Sequence, residues 1–185
     1  MTTSTISKVN FELQSDLMAT QRRDIPLYDG TLSNPYNALC LVDGEWMTFD
    51  DDYKMIRSAD LTQAAGTVAA KPGANNSMPL FAEKGRYDVQ ANAEKKSPVI
   101  YMGPFEADTR VYDDSLNTGI SAAGQNLKVA VISITVAGTA RKFSGLIRHV
   151  DGDSEPIVGT VTRLPAKNGG KLRFRKPINA NLGVT

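Results

Sequence analysis

The clearest hydrophobic pattern lies in the last third of the chain. Residues 127–136 are almost continuously apolar and β-branched, broken only by Lys128, Ser133 and Thr135. Such a run fits a central strand buried on both faces. Residues 142–150 and 157–164 follow as further strands. Then Lys171-Leu172-Arg173-Phe174-Arg175 alternates strictly. Leu172 and Phe174 face one side and the three cations the other, the pattern of a half-buried strand. Asn168-Gly169-Gly170 supplies the turn before it.

Toward the N-terminus the pattern is weaker. Residues 38–42 and 45–50 read as two strands joined through Asp43-Gly44, a dipeptide suited to the positive φ angles of tight hairpin turns. Trp46 and Phe49 give the second strand aromatic bulk, and residues 53–56 continue in β-favouring side chains. Short strands are expected near residues 80–81, 87–90 and 98–102. Between these elements, residues 58–78 are dominated by Ala, Gly, Asn and Ser. With few bulky apolar groups to anchor it, this stretch reads as a long excursion loop that orders in an assembly. Residues 113–126 read as a second loop. Phe11, Leu13, Leu17 and Met18 in the polar leader support either a short amphipathic helix ending near Arg22-Arg23-Asp24 or an arm that packs on a neighbour.

These elements predict a mainly β protein: a small antiparallel β-barrel or sandwich with long loops. The division expected is an N-terminal arm over 1–24 and a β-rich domain over 25–185, with an inserted loop segment at about 58–78.

Composition changes this picture little. The chain has 185 residues, 41% hydrophobic and 22% charged, as in ordinary globular domains. A net charge of +1 gives no global drive toward nucleic acid or an acidic membrane surface. The single cysteine, Cys40, lies in an apolar run and reads as a small core residue; it forms no intrachain disulfide. No signal-peptide pattern opens the chain, and no apolar run approaches the ~20 residues of a membrane span. Assembly in a cytosol is expected, without a membrane.

Most catalytic constellations lack their parts. One histidine, His149, and one cysteine cannot make a common zinc site. No phosphate-binding glycine loop, dinucleotide fingerprint or nucleophile elbow is present. The expectation is no enzyme and no cofactor, with no catalytic, cofactor-binding or metal residues assigned. Two acidic clusters, Asp50-Asp51-Asp52 and Asp151-Gly152-Asp153-Ser154-Glu155, offer oxygen ligands for a hard cation, but neither has EF-hand spacing and both read as solvated turns. The strongest charge signal is Arg163, Lys167, Lys171, Arg173, Arg175 and Lys176, with no intervening acid. These six form a candidate interaction surface. It reads first as a charged edge or an ion-pairing interface, and second as a phosphate-contacting face, since Phe174 points away from the cations and provides no stacking platform.

The C-terminal third resembles the small β-barrel module of tailed-phage head proteins, above all capsid decoration (cement) proteins. Gly124-Gln125-Asn126-Leu127-Lys128-Val129 is similar to the lead-in to a barrel strand in that family. Ile157-Val158-Gly159-Thr160-Val161 resembles its next valine-glycine strand, and Asn168-Gly169-Gly170-Lys171-Leu172-Arg173-Phe174 its closing turn and strand. The likeness covers about a third of the chain; the N-terminal half and the 58–78 segment are additions to it. It implies a homo-oligomer, often a trimer at symmetry axes, that binds the major capsid protein on the outside of a shell assembled in the host cytoplasm. Its role in the virion would be to brace the shell through buried area and strand addition. Two alternatives stand beside it: a head–tail connector or tail-tube subunit, and a nucleic-acid-binding β-barrel using the 163–176 cations.

Overall fold

The computed structural model describes residues 11–14, 22–26, 42–49, 55–67, 77–79, 96–100, 104–113, 119–136, 138–166 and 170–177. Among these the chain is all strand, with no helix. The strands are β1 (Phe11–Leu13), β2 (Arg22–Pro26), β3 (Trp46–Phe49), β4 (Met55–Arg57), β5 (Met78–Pro79), β6 (Lys96–Ile100), β7 (Phe105–Thr109), β8 (Asn126–Val136), β9 (Thr139–Arg148), β10 (Gly159–Arg163) and β11 (Leu172–Lys176). A six-stranded antiparallel sheet, in the order β1-β7-β11-β10-β8-β9, curls into a half-barrel. A three-stranded sheet, β4-β3-β5, and a β2-β6 pair complete the architecture. The mainly β expectation holds.

β8 shows why its sequence is nearly uninterrupted in apolar residues. Leu127, Val129 and Val131 enter the main core with Phe11, Trp46, Phe105, Leu146, Leu172 and Phe174. The alternate positions Ala130, Ile132 and Ile134 enter a second cluster with Val42, Val111, Phe143 and Ile147. Over Val129–Ile132 the strand is buried on both sides, which leaves no face for polar residues there, whereas Ser133 and Thr135 nearer the hairpin are exposed. β8 and β9 pair in register from Leu127↔Arg148 to Val136↔Thr139, which leaves a two-residue loop carrying Gly138 at φ +82°.

The N-terminal expectations need correction. Residues 11–13 are a strand of the chain's own sheet, with Phe11 paired to Thr109 and buried at 3% exposure, so they form no helix. Residues 17 and 18 lie outside the described residues. The Asp43-Gly44 turn forms, with Glu45 N donating to Val42 O at 3.2 Å. However, the strand after it pairs with β4 on one side and β5 on the other. At Met47 both edges are taken, by Arg57 of β4 and Met78 of β5; residues 38–41 lie outside the described residues.

Gly44 is required by its surroundings. It sits at φ +87°, and a Cβ there would meet Thr109 Oγ1, Val111 Cγ2 and Phe11 Cβ at 3.1–3.3 Å. The Asp43 carboxylate accepts the Phe11 N–H at 2.8 Å. This corner fastens β1, β7 and the start of β3 together.

The described part of the excursion loop is anchored through its backbone as well as its side chains. Ala59 and Leu61 join the main core. Gly66 N donates to Val131 O at 2.5 Å, and Val131 N donates to Thr67 O at 3.1 Å, so the loop covers the edge of β8 there. A search for bulky side chains overlooks this kind of anchorage. In the second loop, Gln125 Oε1 accepts the Ser121 and Ala122 N–H groups at 2.8 and 2.9 Å, and Ile120 is buried. The short strands expected at 80–81 and 87–90 lie outside the described residues.

Candidate functional site

The candidate cations separate into three groups. Arg163, Lys171, Arg173 and Arg175 lie at or on the outer face of the half-barrel, where β10 and β11 meet β7 and β1. Lys167 lies outside the described residues. Lys176 belongs with Leu172 and Phe174 on the inner face and is buried at 6% exposure. Its inclusion in a surface patch is therefore wrong: residues 172, 174 and 176 share one parity on the strand.

The outer-face cations are largely spoken for by acids from other strands. Arg173 grips Asp108 with two bonds, Nε to Oδ1 at 2.7 Å and Nη2 to Oδ2 at 3.0 Å. That pairing raises the Arg173 proton affinity above its ordinary value. Arg163 Nη2 reaches the same carboxylate at 3.6 Å, and Lys171 Nζ donates to Glu12 Oε2 at 2.6 Å. Arg175 is exposed and stands opposite Glu106 in the strand register; Glu106 also accepts from Thr162 Oγ1 at 2.7 Å. Four cations thus face three carboxylates across β1, β7, β11 and β10. The acids were invisible in the 163–176 stretch because strand pairing brings them from residues 12, 106 and 108.

The acidic turn at 151–155 has a built-in cation. Lys128, buried on β8, places Nζ 2.7 Å from Asp153 Oδ2 and 3.2 Å from Glu155 Oε2. Asp153 also accepts the Val150 N–H at 2.8 Å. The hydrogen bond from Lys128, then that from Val150, holds the Asp153 carboxyl below its usual range. His149 Nε2 lies 3.0 Å from Glu155 O and serves the same turn. Among the described residues no group of three or more His, Cys, Asp or Glu side chains is placed to hold a metal ion. Asp50-Asp51-Asp52 and Cys40 lie outside them.

A third polar cluster escaped the sequence reading altogether. Glu45 is fully buried and saturated: Oε1 accepts from Arg57 Nε at 3.1 Å and from Ser144 N at 3.4 Å, and Oε2 accepts from Val42 N at 3.0 Å. Ser144 Oγ in turn donates to Trp46 O at 2.8 Å and accepts the Ala59 N–H at 3.0 Å. This network ties β3 and β4 to β9. Its saturation makes it a fastener between sheets.

Backbone edges without a partner among the described residues are the remaining feature capable of recognition. In the β8–β9 register the outward-facing groups are those of odd residues on β8 and even residues on β9, as the Val131 and Leu146 bonds show. Beyond Val131, Ser133 and Thr135 have exposed side chains and no described backbone partner on their outer side; Ala140 is in the same position on β9. Among the described residues Val150 is the only large hydrophobic side chain left exposed. No helix among them is long and apolar enough to cross a membrane. The chain matches no protein-family model, no curated protein and no solved structure with which it was compared.

Proposed function

We propose that this chain is a virion structural protein, a capsid decoration protein that binds the outer shell of a tailed phage and stabilises it without catalysing a reaction. One observation carries the reading. The three segments that resemble the decoration module are hydrogen-bonded neighbours in one sheet: Val158 N donates to Leu127 O at 2.8 Å, Val161 N to Gln125 O at 2.9 Å, and Val161 pairs with Phe174.

The contact expected is strand addition at the distal β8–β9 hairpin, where the outward backbone groups of Ser133, Thr135 and Ala140 have no partner among the described residues. Residues 11–13 and 58–67, taken up by the chain's own core and sheet edge, are poorer contacts. The charge ladder on the outer face leaves little net charge for phosphates, which weighs against the nucleic-acid reading. Native mass separates the variants of the structural reading, a trimer fitting decoration and a hexameric ring fitting a connector or tail tube. The direct test substitutes Thr135→Pro, which removes an outward N–H from an edge strand where proline is tolerated. Shell binding should fall at least tenfold with the melting temperature nearly unchanged. Undiminished binding would remove the hairpin edge from the mechanism.

A further inference from the structure

Among the described residues Lys176 is the one buried amine that the ion-pair ladders do not use. Its side chain runs inward from the end of β11, and Nζ donates to Ser77 O at 2.9 Å. The same Nζ lies 5.7 Å from the centre of the Trp46 ring. Ser77 leads into β5, its hydroxyl is 2.9 Å from that of Ser58, and β5 pairs with β3 at Trp46↔Pro79. The amine therefore sits in the joint between the half-barrel and the β4-β3-β5 sheet, touching both.

Among the described residues no opposite charge reaches it. From β3 it meets Trp46, while the neighbouring Glu45 is committed to Arg57, Val42 and Ser144. β5 and the residue before it present Ser77, Met78 and Pro79, and the 58–61 turn presents Ser58. On β7 its register partner is Phe105, with Glu106 and Asp108 on the opposite face; on β11 itself Arg173 and Arg175 also face outward. Among the described residues no carboxylate lies within ion-pair distance of Nζ. An ammonium held this way has a single oxygen acceptor and an aromatic face in place of water, a poor exchange for a full charge.

We propose that Lys176 is a proton-controlled catch between the two sheets, closing the joint tightly when the amine is neutral and loosening it when the amine is charged. Burial alone pushes the amine's proton affinity down, to a pKa of about 8 from an ordinary 10.5. The sign follows. The folded form binds the proton more weakly than the unfolded form, so the contribution is unfavourable below about pH 8 and is relieved as pH rises toward 10.5. The catch thus shifts within reach of neutral pH, where an exposed lysine would stay charged.

Trp46 is the only tryptophan in the chain and lies against the catch, so its emission reports the joint directly. Denaturant unfolding of the full chain is followed by that emission from pH 6.5 to 9.5 for wild type, Lys176→Met and Lys176→Arg. Relative to Lys176→Met, the wild-type unfolding constant should fall about thirtyfold across this range, the ratio those two pKa values give. Lys176→Arg, which keeps its charge throughout, should track Lys176→Met with no such fall. At pH 6.5, hydrogen exchange should show the amides of Trp46–Phe49 and Met78 protected tenfold or more in Lys176→Met over wild type, with those at the centre of β8 changed less. A pH profile shared by wild type and Lys176→Met would overturn the proposal. So would equal changes in protection across both sheets. If Lys176→Met does not fold, the wild-type profile set against that of Lys176→Arg decides alone.

Discussion

Glu45 is the residue on which local stability turns, because its carboxylate is fully buried and joins the turn before β3 to β4 and β9. Removing Arg57, its counter-charge, leaves that carboxylate unpaired in the core. Arg57→Ala should therefore cost about 3–5 kcal/mol, measured by denaturant unfolding. Asp153 sits in a milder setting, partly exposed and paired with Lys128. Asp153→Asn should cost about 1–2 kcal/mol at pH 6. Because the folded carboxyl is held below its ordinary 3.8, its contribution is full above that value and is lost as pH falls through the folded one. The gap between wild type and Asp153→Asn should close in acid, and a gap independent of pH would contradict the assignment. At this scale the sequence was legible where parity was followed and misleading where charge was followed. Leu172 and Phe174 were placed inward by alternation; the same rule puts Lys176 with them, although it looked like one more surface cation. The carboxylates that neutralise Arg173 and Lys171 could not be found at all, since Asp108 and Glu12 meet them only through strand pairing.

Among the elements, those marked by β-branched runs, strict alternation or aromatic bulk were readable, and β1 and β7 were not. β8, β9, β10 and β11 fall within a few residues of their expected positions because Val, Ile and strict alternation mark them. β7 has the sequence Phe-Glu-Ala-Asp-Thr, with Glu, Ala and Asp all disfavoured in strands, yet it is the second strand of the main sheet. Its alternation of Phe105, Ala107 and Thr109 inward with Glu106 and Asp108 outward is regular, but after Phe105 the inward residues are too small or polar to show. β1 is shorter still and is held by one aromatic anchor packed against Phe105 and Phe174 at ring distances of 6.3 and 6.4 Å. Phe11→Ala should cost about 3–5 kcal/mol, seen as a lowered melting temperature. An arm used only for assembly would leave the melting temperature of the isolated chain unchanged. The β3–β4 pairing teaches a related lesson. Asp43-Gly44 does make a turn, but the turn serves a corner filled by Phe11, Thr109 and Val111, and the strand after it turns to β4 and β5 for its partners.

For the whole molecule, three facts frame the proposed role: a half-barrel with balanced charge on its outer face, a core that takes in nearly all the large apolar side chains of the described residues, and a hairpin whose outer edges near the tip have no partner among those residues. Balanced charge predicts weak nucleic-acid affinity with a shallow salt dependence. Single-strand binding assayed from 50 to 200 mM salt should lack the losses of a thousandfold or more, on the order of those made by proteins with many phosphate contacts. The fold class was legible in the sequence, whereas the way the sheets are joined was not, because Glu45, Ser144 and Lys176 act across separations of up to about a hundred residues. The central claim is that this protein binds and braces a shell. It is tested most directly by cosedimentation of the purified full chain with empty shells of the major capsid protein encoded in the same genome. The account predicts saturable binding at a fixed ratio to capsid subunits, together with a higher temperature of shell disruption. A chain that stays in the supernatant at all concentrations, leaving the shell's disruption temperature unmoved, would contradict it.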